Sequence, residues 1–467
     1  MMRIVLFIFM AATFTALDCQ IMAPRFDIYS GGAAGIGSDK PFWNVANTYG
    51  KYSLVPFEWI TGLKIEAVDS SASLLSIDYG AEIYDRYGEK NELVLHQGYI
   101  EIKTALLTFR AGRKEEVIGN QDSILSTGGS VWSANARPMP KLVLATPGYV
   151  DVPFTKGYVE VNGSLAHGWF EKERYVENVF LHQKHAHIRF GGDFRLNVSL
   201  GLIHFAHWGG VSPNERFGAL PSDLDAFKRV FISQSGETAT VDPGEVINSL
   251  GNHLGARNYR IDYRGENFSS GFYFQTIFED NSGMSKLFYV DGVKGLVIRM
   301  HEKEKFINHL LVEYVQTTWQ SGPLHDLSGS SKLKGDDDYF NHYIYQSGWT
   351  YLGMTLGTPL ITSPLYTDEN QVLLPNTRVK GYHLGWGGIV HGLNYRTLFT
   401  YTANKGTYKF PYSPDRNQFS WLFEATVPSF WRDVDLSILL AADLGQMYGN
   451  NLGALLLLKK TFTPFQK

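Results

Sequence analysis

The 467-residue chain has a net charge of -4 at pH 7, 14% aromatic residues, only 19% charged residues and a single cysteine, where an average globular protein carries about 25% charged residues. Its mild negative charge excludes nucleic-acid binding through a basic face, and the lone Cys19 excludes a disulfide or a multi-thiolate metal site. After the N-terminal stretch no apolar run approaches the roughly 20 residues of a membrane-spanning helix, so helical spans are excluded too.

Met1-Met2-Arg3, the apolar run from Ile4 to Leu17 and the closing Asp18 have the layout of a secretory signal peptide. Cleavage after Cys19 divides the chain into a signal peptide over 1–19 and a mature protein beginning at Gln20. The competing reading, a lipid anchor on Cys19, is disfavoured by Asp18 directly before the cysteine and by Ala16 where leucine is usual. No Pro/Ser-rich tether, charge block or sustained composition shift divides residues 20–467, which predicts one large domain.

Period-two alternation then dominates. Thr61, Leu63, Ile65 and Ala67 share one face against Gly62, Lys64 and Glu66, the first clear strand. Leu75, Ile77, Tyr79, Ala81 and Ile83 follow against Ser76, Asp78, Gly80, Glu82 and Tyr84. Residues 113–141 are long, polar and Gly-rich and read as a loop. Between Gly209 and Gly255 lie two helix signals: Ser222 as a cap before Leu224, Phe227 and Phe231, and Asp242-Pro243 starting a helix that stops at Gly251. Such an insert is expected to fold over or into the main structure and close it.

Alternation resumes with Tyr259, Ile261 and Tyr263 against Asn258, Arg260, Asp262 and Arg264, and with Phe272, Phe274 and Phe278 against Tyr273, Gln275 and Glu279. Residues 326–340 read as a solvated loop, with Asp336, Asp337 and Asp338 lacking the spacing of an EF-hand calcium site. Phe419, Trp421, Phe423 and Ala425 then oppose Ser420, Leu422, Glu424 and Thr426, and residues 436–444 repeat the pattern.

Roughly 16 to 19 such segments suffice for a membrane barrel. A soluble sandwich or propeller also alternates, but a polar face bearing Asp78, Glu82, Arg260 and Arg264 suits a lumen while the aromatic face meets lipid. The predicted class is all-β: a transmembrane antiparallel barrel with short helices in its inserted loops. Trp59, Trp421 and Trp431 are expected in its interfacial girdles.

No catalytic constellation emerges. There is no Gly-x-Ser-x-Gly elbow; His301-Glu302 begins a zinc-protease pattern that Lys305 breaks; and the glycines from Gly32 to Gly37 lack a nucleotide-loop setting. His185 and His187 share a strand face and offer either a metal pair or lumen hydrogen bonds, the latter favoured. No cofactor is expected. Trp132, Trp169, Trp208, Trp319 and Trp349 stand in polar, Gly-rich surroundings, the kind of flat face on which a pyranose ring stacks.

Several strings resemble the Wzi capsule-assembly family of outer-membrane proteins. They include Arg113-Lys114-Glu115-Glu116-Val117-Ile118-Gly119-Asn120-Gln121-Asp122, Trp132-Ser133-Ala134-Asn135-Ala136-Arg137-Pro138 and Pro153-Phe154-Thr155-Lys156-Gly157. His167-Gly168-Trp169-Phe170, Leu181-His182-Gln183-Lys184, His207-Trp208-Gly209-Gly210 and Gly251-Asn252-His253-Leu254-Gly255 continue the likeness. So do Phe278-Glu279-Asp280-Asn281-Ser282-Gly283-Met284, Ser347-Gly348-Trp349-Thr350-Tyr351 and Gly357-Thr358-Pro359-Leu360.

The resemblance implies a barrel of about 18 strands that binds capsular polysaccharide at the cell surface as a lectin, without catalysis. A porin sharing the barrel is the alternative, and a hydrolase a more distant one. Expected partners are the polysaccharide and outer-membrane lipid, with the protein a monomer. The best-known members carry a periplasmic helical segment before the barrel; about 40 residues between Gln20 and the first clear strand leave no room for it here. The strings nominate Arg137, His182, Lys184, His207, Trp208, Asn252, His253 and Arg257 as a polar cluster between wall and inserted loops. With Trp132, Trp169 and Trp349 they form the candidate glycan-binding or lumen set.

Overall fold

Successive side chains of a strand point to opposite faces, and here that pattern builds a closed wall. The computed structural model describes residues 24–69, 75–89, 91–237, 249–279, 290–322, 337–367 and 373–463. The main sheet has 19 strands; one, Val150–Asp151, pairs only with Val159–Trp169, and the other 18 form the wall. Every pairing is antiparallel between neighbours in sequence, and Arg25–Ile36 pairs with both Phe57–Ala67 and Asn451–Phe462, which closes the barrel.

The predicted faces hold. In Leu75–Tyr87, Ser76, Asp78 and Glu82 are buried and Ile83 is 44% exposed. In Phe268–Phe278, Gln275 faces the lumen, where its Oε1 accepts from the Ser130 amide (2.8 Å). Phe274 lies on the outer side, stacked with Tyr259 and under the Lys294 ammonium (4.9 Å). Trp59 and Trp431 are exposed on the outer face as girdle residues would be, whereas Trp421 is held at half depth by a hydrogen bond to Thr397 Oγ1 (3.0 Å).

The first strand differs from expectation: Arg25–Ile36 precedes the strand that begins at Phe57. Its centre, Gly31-Gly32-Ala33-Ala34-Gly35, carries no apolar contrast to read. The small residues let the seam close, since a Cβ on Gly32 would lie 2.7 Å from the Trp59 ring and one on Gly31 2.2 Å from the Leu456 carbonyl.

Both described ends of the chain lie at one mouth, where the connections include the short turns 105–107, 265–267, 391–392 and 432–433 and the longest is 146–158. The other mouth carries 37–56, 114–140, 209–251 and 317–378. Outer-membrane barrels place short turns in the periplasm and long loops outside, so the long-loop mouth is read as the outer one.

Candidate functional site

Three long loops fill the lumen. Segment 114–140 crosses it, anchored by a carboxylate on the opposite wall: Glu313 accepts from Ser126 Oγ (2.7 Å), Thr127 N (2.7 Å), Thr127 Oγ1 (2.9 Å) and the Tyr273 hydroxyl. Asp122 pairs with His309 Nε2 (3.0 Å) and with Arg299. Burial works to raise the Asp122 pKa, but His309, the Leu125 amide and Arg299 hold it well below the usual carboxylate range. Gly119 takes φ +99°, and a Cβ there would lie 2.7 Å from Gln275 Nε2, so only glycine lets the loop lie this close to the wall.

Segments 37–56 and 337–363 complete the plug. Asn135 Nδ2 donates to Thr355 O (3.0 Å), Ser133 Oγ to Gly357 O (2.6 Å), and His383 Nε2 meets Leu125 O (2.6 Å). Of the charges predicted for the lumen, Asp78 pairs with Lys103, and Glu82 pairs with Lys51 (3.0 Å), which also bonds Glu115 (2.9 Å). Glu82, His96 and Glu115 have the spacing of a cation site. The Lys51 ammonium already bonds both carboxylates, so the group reads as an ion-pair network. His185 bonds Asn162 Oδ1 (3.2 Å), in line with a lumen role.

Helix Leu224–Ile232 corrects two expectations. Its cap is Asp223, which accepts from the Ala226 amide (2.8 Å), not Ser222. It buries Ala226 and Val230 against Ala206 and Trp208 on the outer side of the wall, while Leu224 is exposed. The loop plug, not this helix, closes the lumen; the second expected helix lies outside the described residues.

Strand parity also splits the candidate cluster, because neighbours along a strand cannot share a face. On the lumen side, Trp349 is fully buried and stacked on His207 (3.7 Å), His207 Nδ1 meets Asn252 Nδ2 (3.3 Å), and Trp132 packs edge-on to Phe205 beneath the Lys141 ammonium. Arg137 there donates to both oxygens of Glu92 (2.9 and 3.1 Å).

On the outer side, Trp208, His182 and Lys184 lie under the helix, with Lys184 donating to the Phe231 carbonyl. His253 Nδ1 meets His204 Nε2 (2.8 Å), Arg257 lies over the Phe278 ring, and Trp169 packs edge-on to His167. The single cluster expected between wall and loops is therefore two. Sequence reasoning missed Glu313, Asp122, and Arg174, which binds the carbonyls of Gly348 (3.1 Å) and Thr350 (3.3 Å). In sequence, each looks like any other lumen or loop charge.

Trp132, Trp208 and Trp349 are thus packing residues, corrected from sugar-stacking candidates. Of the five tryptophans nominated, only Trp169 and Trp319 are exposed, at 39% and 44%. Replacing Trp349 with alanine should cost roughly 3–5 kcal/mol as a cavity mutation. It should lower the temperature at which the barrel converts to its unfolded gel form; an unchanged conversion temperature would contradict this packing role.

No curated protein matches the chain by sequence. Among solved structures it is similar to Wzi from Escherichia coli, described as an outer membrane protein involved in group 1 capsule assembly and a carbohydrate-binding β-barrel. The TM-score is 0.62 at 14% identity, over 94% of this chain and 84% of that one. Pseudomonas aeruginosa OccK5 (OpdH) has a TM-score of 0.50 at 8% identity, over 96% of this chain and 99% of that one. At these identities both likenesses concern the fold. Residues 38–361 match the sequence model of the capsule assembly protein Wzi family, and the chain belongs to that family.

Proposed function

We propose that this protein is a non-catalytic surface lectin of the outer membrane that attaches or organises capsular polysaccharide on the cell that makes it. The observation that carries this reading is the plugged lumen in a Wzi-family chain: the loops that could form a conduit are bonded across it. Such a barrel offers its long-loop mouth as a binding surface rather than a passage. Trp319 and Tyr343, 44% and 47% exposed there, replace the buried tryptophans as stacking candidates. In this reading the mature chain begins at Gln20, forms one domain, acts as a monomer and needs no cofactor.

Each sugar contact on an open surface is weak, because ordering a flexible polymer offsets most of the gain; retention then comes from many contacts along one chain. Cells lacking the protein should make normal amounts of polysaccharide but release more into the medium. Trp319→Ala and Tyr343→Ala should shift the balance the same way with the barrel assembled. Comparing attached and released polysaccharide tests this, and unchanged attachment in the deletion strain would remove the lectin reading. Large steady currents through the intact protein in planar bilayers would favour a porin.

A further inference from the structure

At the short-turn mouth, below the plug, the lumen holds a cavity of about 340 Å³ lined by Arg189, Arg260, Arg264 and Arg299, with Asn197 and Asp262 among its other walls. Three of the four guanidinium groups already have a carboxylate. Arg189 binds Glu160 through two bonds (2.6 and 2.5 Å), Arg260 binds Asp262 (2.9 and 2.8 Å), and Arg299 binds Asp122. Arg264 makes no direct ion pair among the described residues and is solvent-exposed; its charge reaches Glu160 only at longer range, beside the direct Arg189 pair. Asn197 is 1% exposed; its Nδ2 donates to Phe194 O (2.8 Å), but its Oδ1 is buried without a donor.

These two features specify complementary halves of one ligand. A free guanidinium presents a planar fork of donors that fits a carboxylate with two parallel bonds. A buried orphan acceptor asks for a hydroxyl or amide hydrogen, since leaving it unpaired is costly. The volume lies at the low end of small-molecule pockets, about 300–1,000 Å³, so it admits a short glycan unit and not a folded partner. We propose that this inner vestibule binds an acidic sugar, a hexuronate unit whose carboxylate engages Arg264 and whose hydroxyl donates to Asn197 Oδ1.

The site faces the mouth opposite the proposed lectin surface, and the plug separates the two. Arg260 also donates to the Asn120 carbonyl of the plug (3.1 Å), and Arg299 to plug residue Asp122, so the vestibule roof and the plug share anchors. Gly271 provides the room for the Arg260–Asp262 pair, as a Cβ there would lie 2.6 Å from Arg260 Nη2 and 2.8 Å from Asp262 Oδ1.

The test is isothermal titration of the full-length barrel in detergent at low ionic strength, with glucuronate, glucose and inorganic phosphate as probes. Glucuronate should bind saturably, and more tightly than either glucose or phosphate. Arg264→Gln, at a position with no structural ion pair, should weaken glucuronate about ten-fold or more. Lys303→Gln, which removes the same charge from an exposed turn at the same mouth, should leave it unchanged. The proposal is overturned by absent glucuronate binding, by equal affinity in the Arg264→Gln protein, by an equal loss in Lys303→Gln, or by glucose or phosphate binding as tightly as glucuronate. It rests on the polysaccharide reading only in choosing a sugar acid. Because the titration needs no capsule, its failure is distinguishable from a deletion strain that keeps its capsule.

Discussion

Replacing Leu456 with arginine should block assembly of the barrel. Leu456 sits midway along Asn451–Phe462, points outward and is 53% exposed to the lipid side. An arginine facing lipid near the midplane costs roughly 2–4 kcal/mol, while a lumen position tolerates charge. The site adds a second penalty, because Leu456 pairs with Gly32 across the seam where the first and last strands meet. A change there acts on the pairing that closes the wall. Lys459, three residues on, lies on the lumen face opposite Tyr29 and Asp435, and Lys459→Ala should assemble normally. The fraction of protein in outer membranes that migrates differently before and after boiling measures both. Equal assembly of the two variants would mean that the faces are assigned wrongly.

The wall was legible because a barrel strand must satisfy lipid and lumen at once, and that demand is written residue by residue with period two. Leu75–Tyr87 and Pro411–Trp431 show it plainly, with aromatic or aliphatic residues alternating against polar ones. Where the demand relaxes, the signal goes. Arg25–Ile36 passes close to Trp59 and the Leu456 backbone and so uses glycine and alanine, which look the same on either face. Helix Leu224–Ile232 was legible as a helix, but its apolar face fits the outer wall as well as a lumen, and only the fold decides which it meets.

The candidate cluster divides in two for a related reason. His207-Trp208 and Asn252-His253 are adjacent in sequence and were grouped together, yet a strand sends each pair to opposite sides of the wall. His207 reaches Trp349 in the plug, whereas Trp208 reaches Phe227 of the external helix. Aromatic residues in polar strings suggested sugar stacking. In Trp132 and Trp349 the same composition reflects loops that carry their own packing core into the lumen.

Glu313→Ala should open that lumen. The carboxylate is 2% exposed, and it gathers two hydroxyls and an amide from Ser126 and Thr127 of the plug together with the Tyr273 hydroxyl of the wall. Hydrogen bonds to a charged partner contribute about 1.5–3 kcal/mol each, and buried donors left without an acceptor are costly. The alanine variant can satisfy them only by admitting water between loop and wall. Asp122 and Gln275 still hold the loop on either side of the break, so the barrel should assemble and the opening should be local. The expected result is flickering current in planar bilayers where the wild type is silent. Glu313→Gln keeps one oxygen acceptor and should give smaller or rarer openings. A silent Glu313→Ala barrel would show that the plug is held by its packing core alone, with Trp132, Phe340 and Trp349 as its anchors.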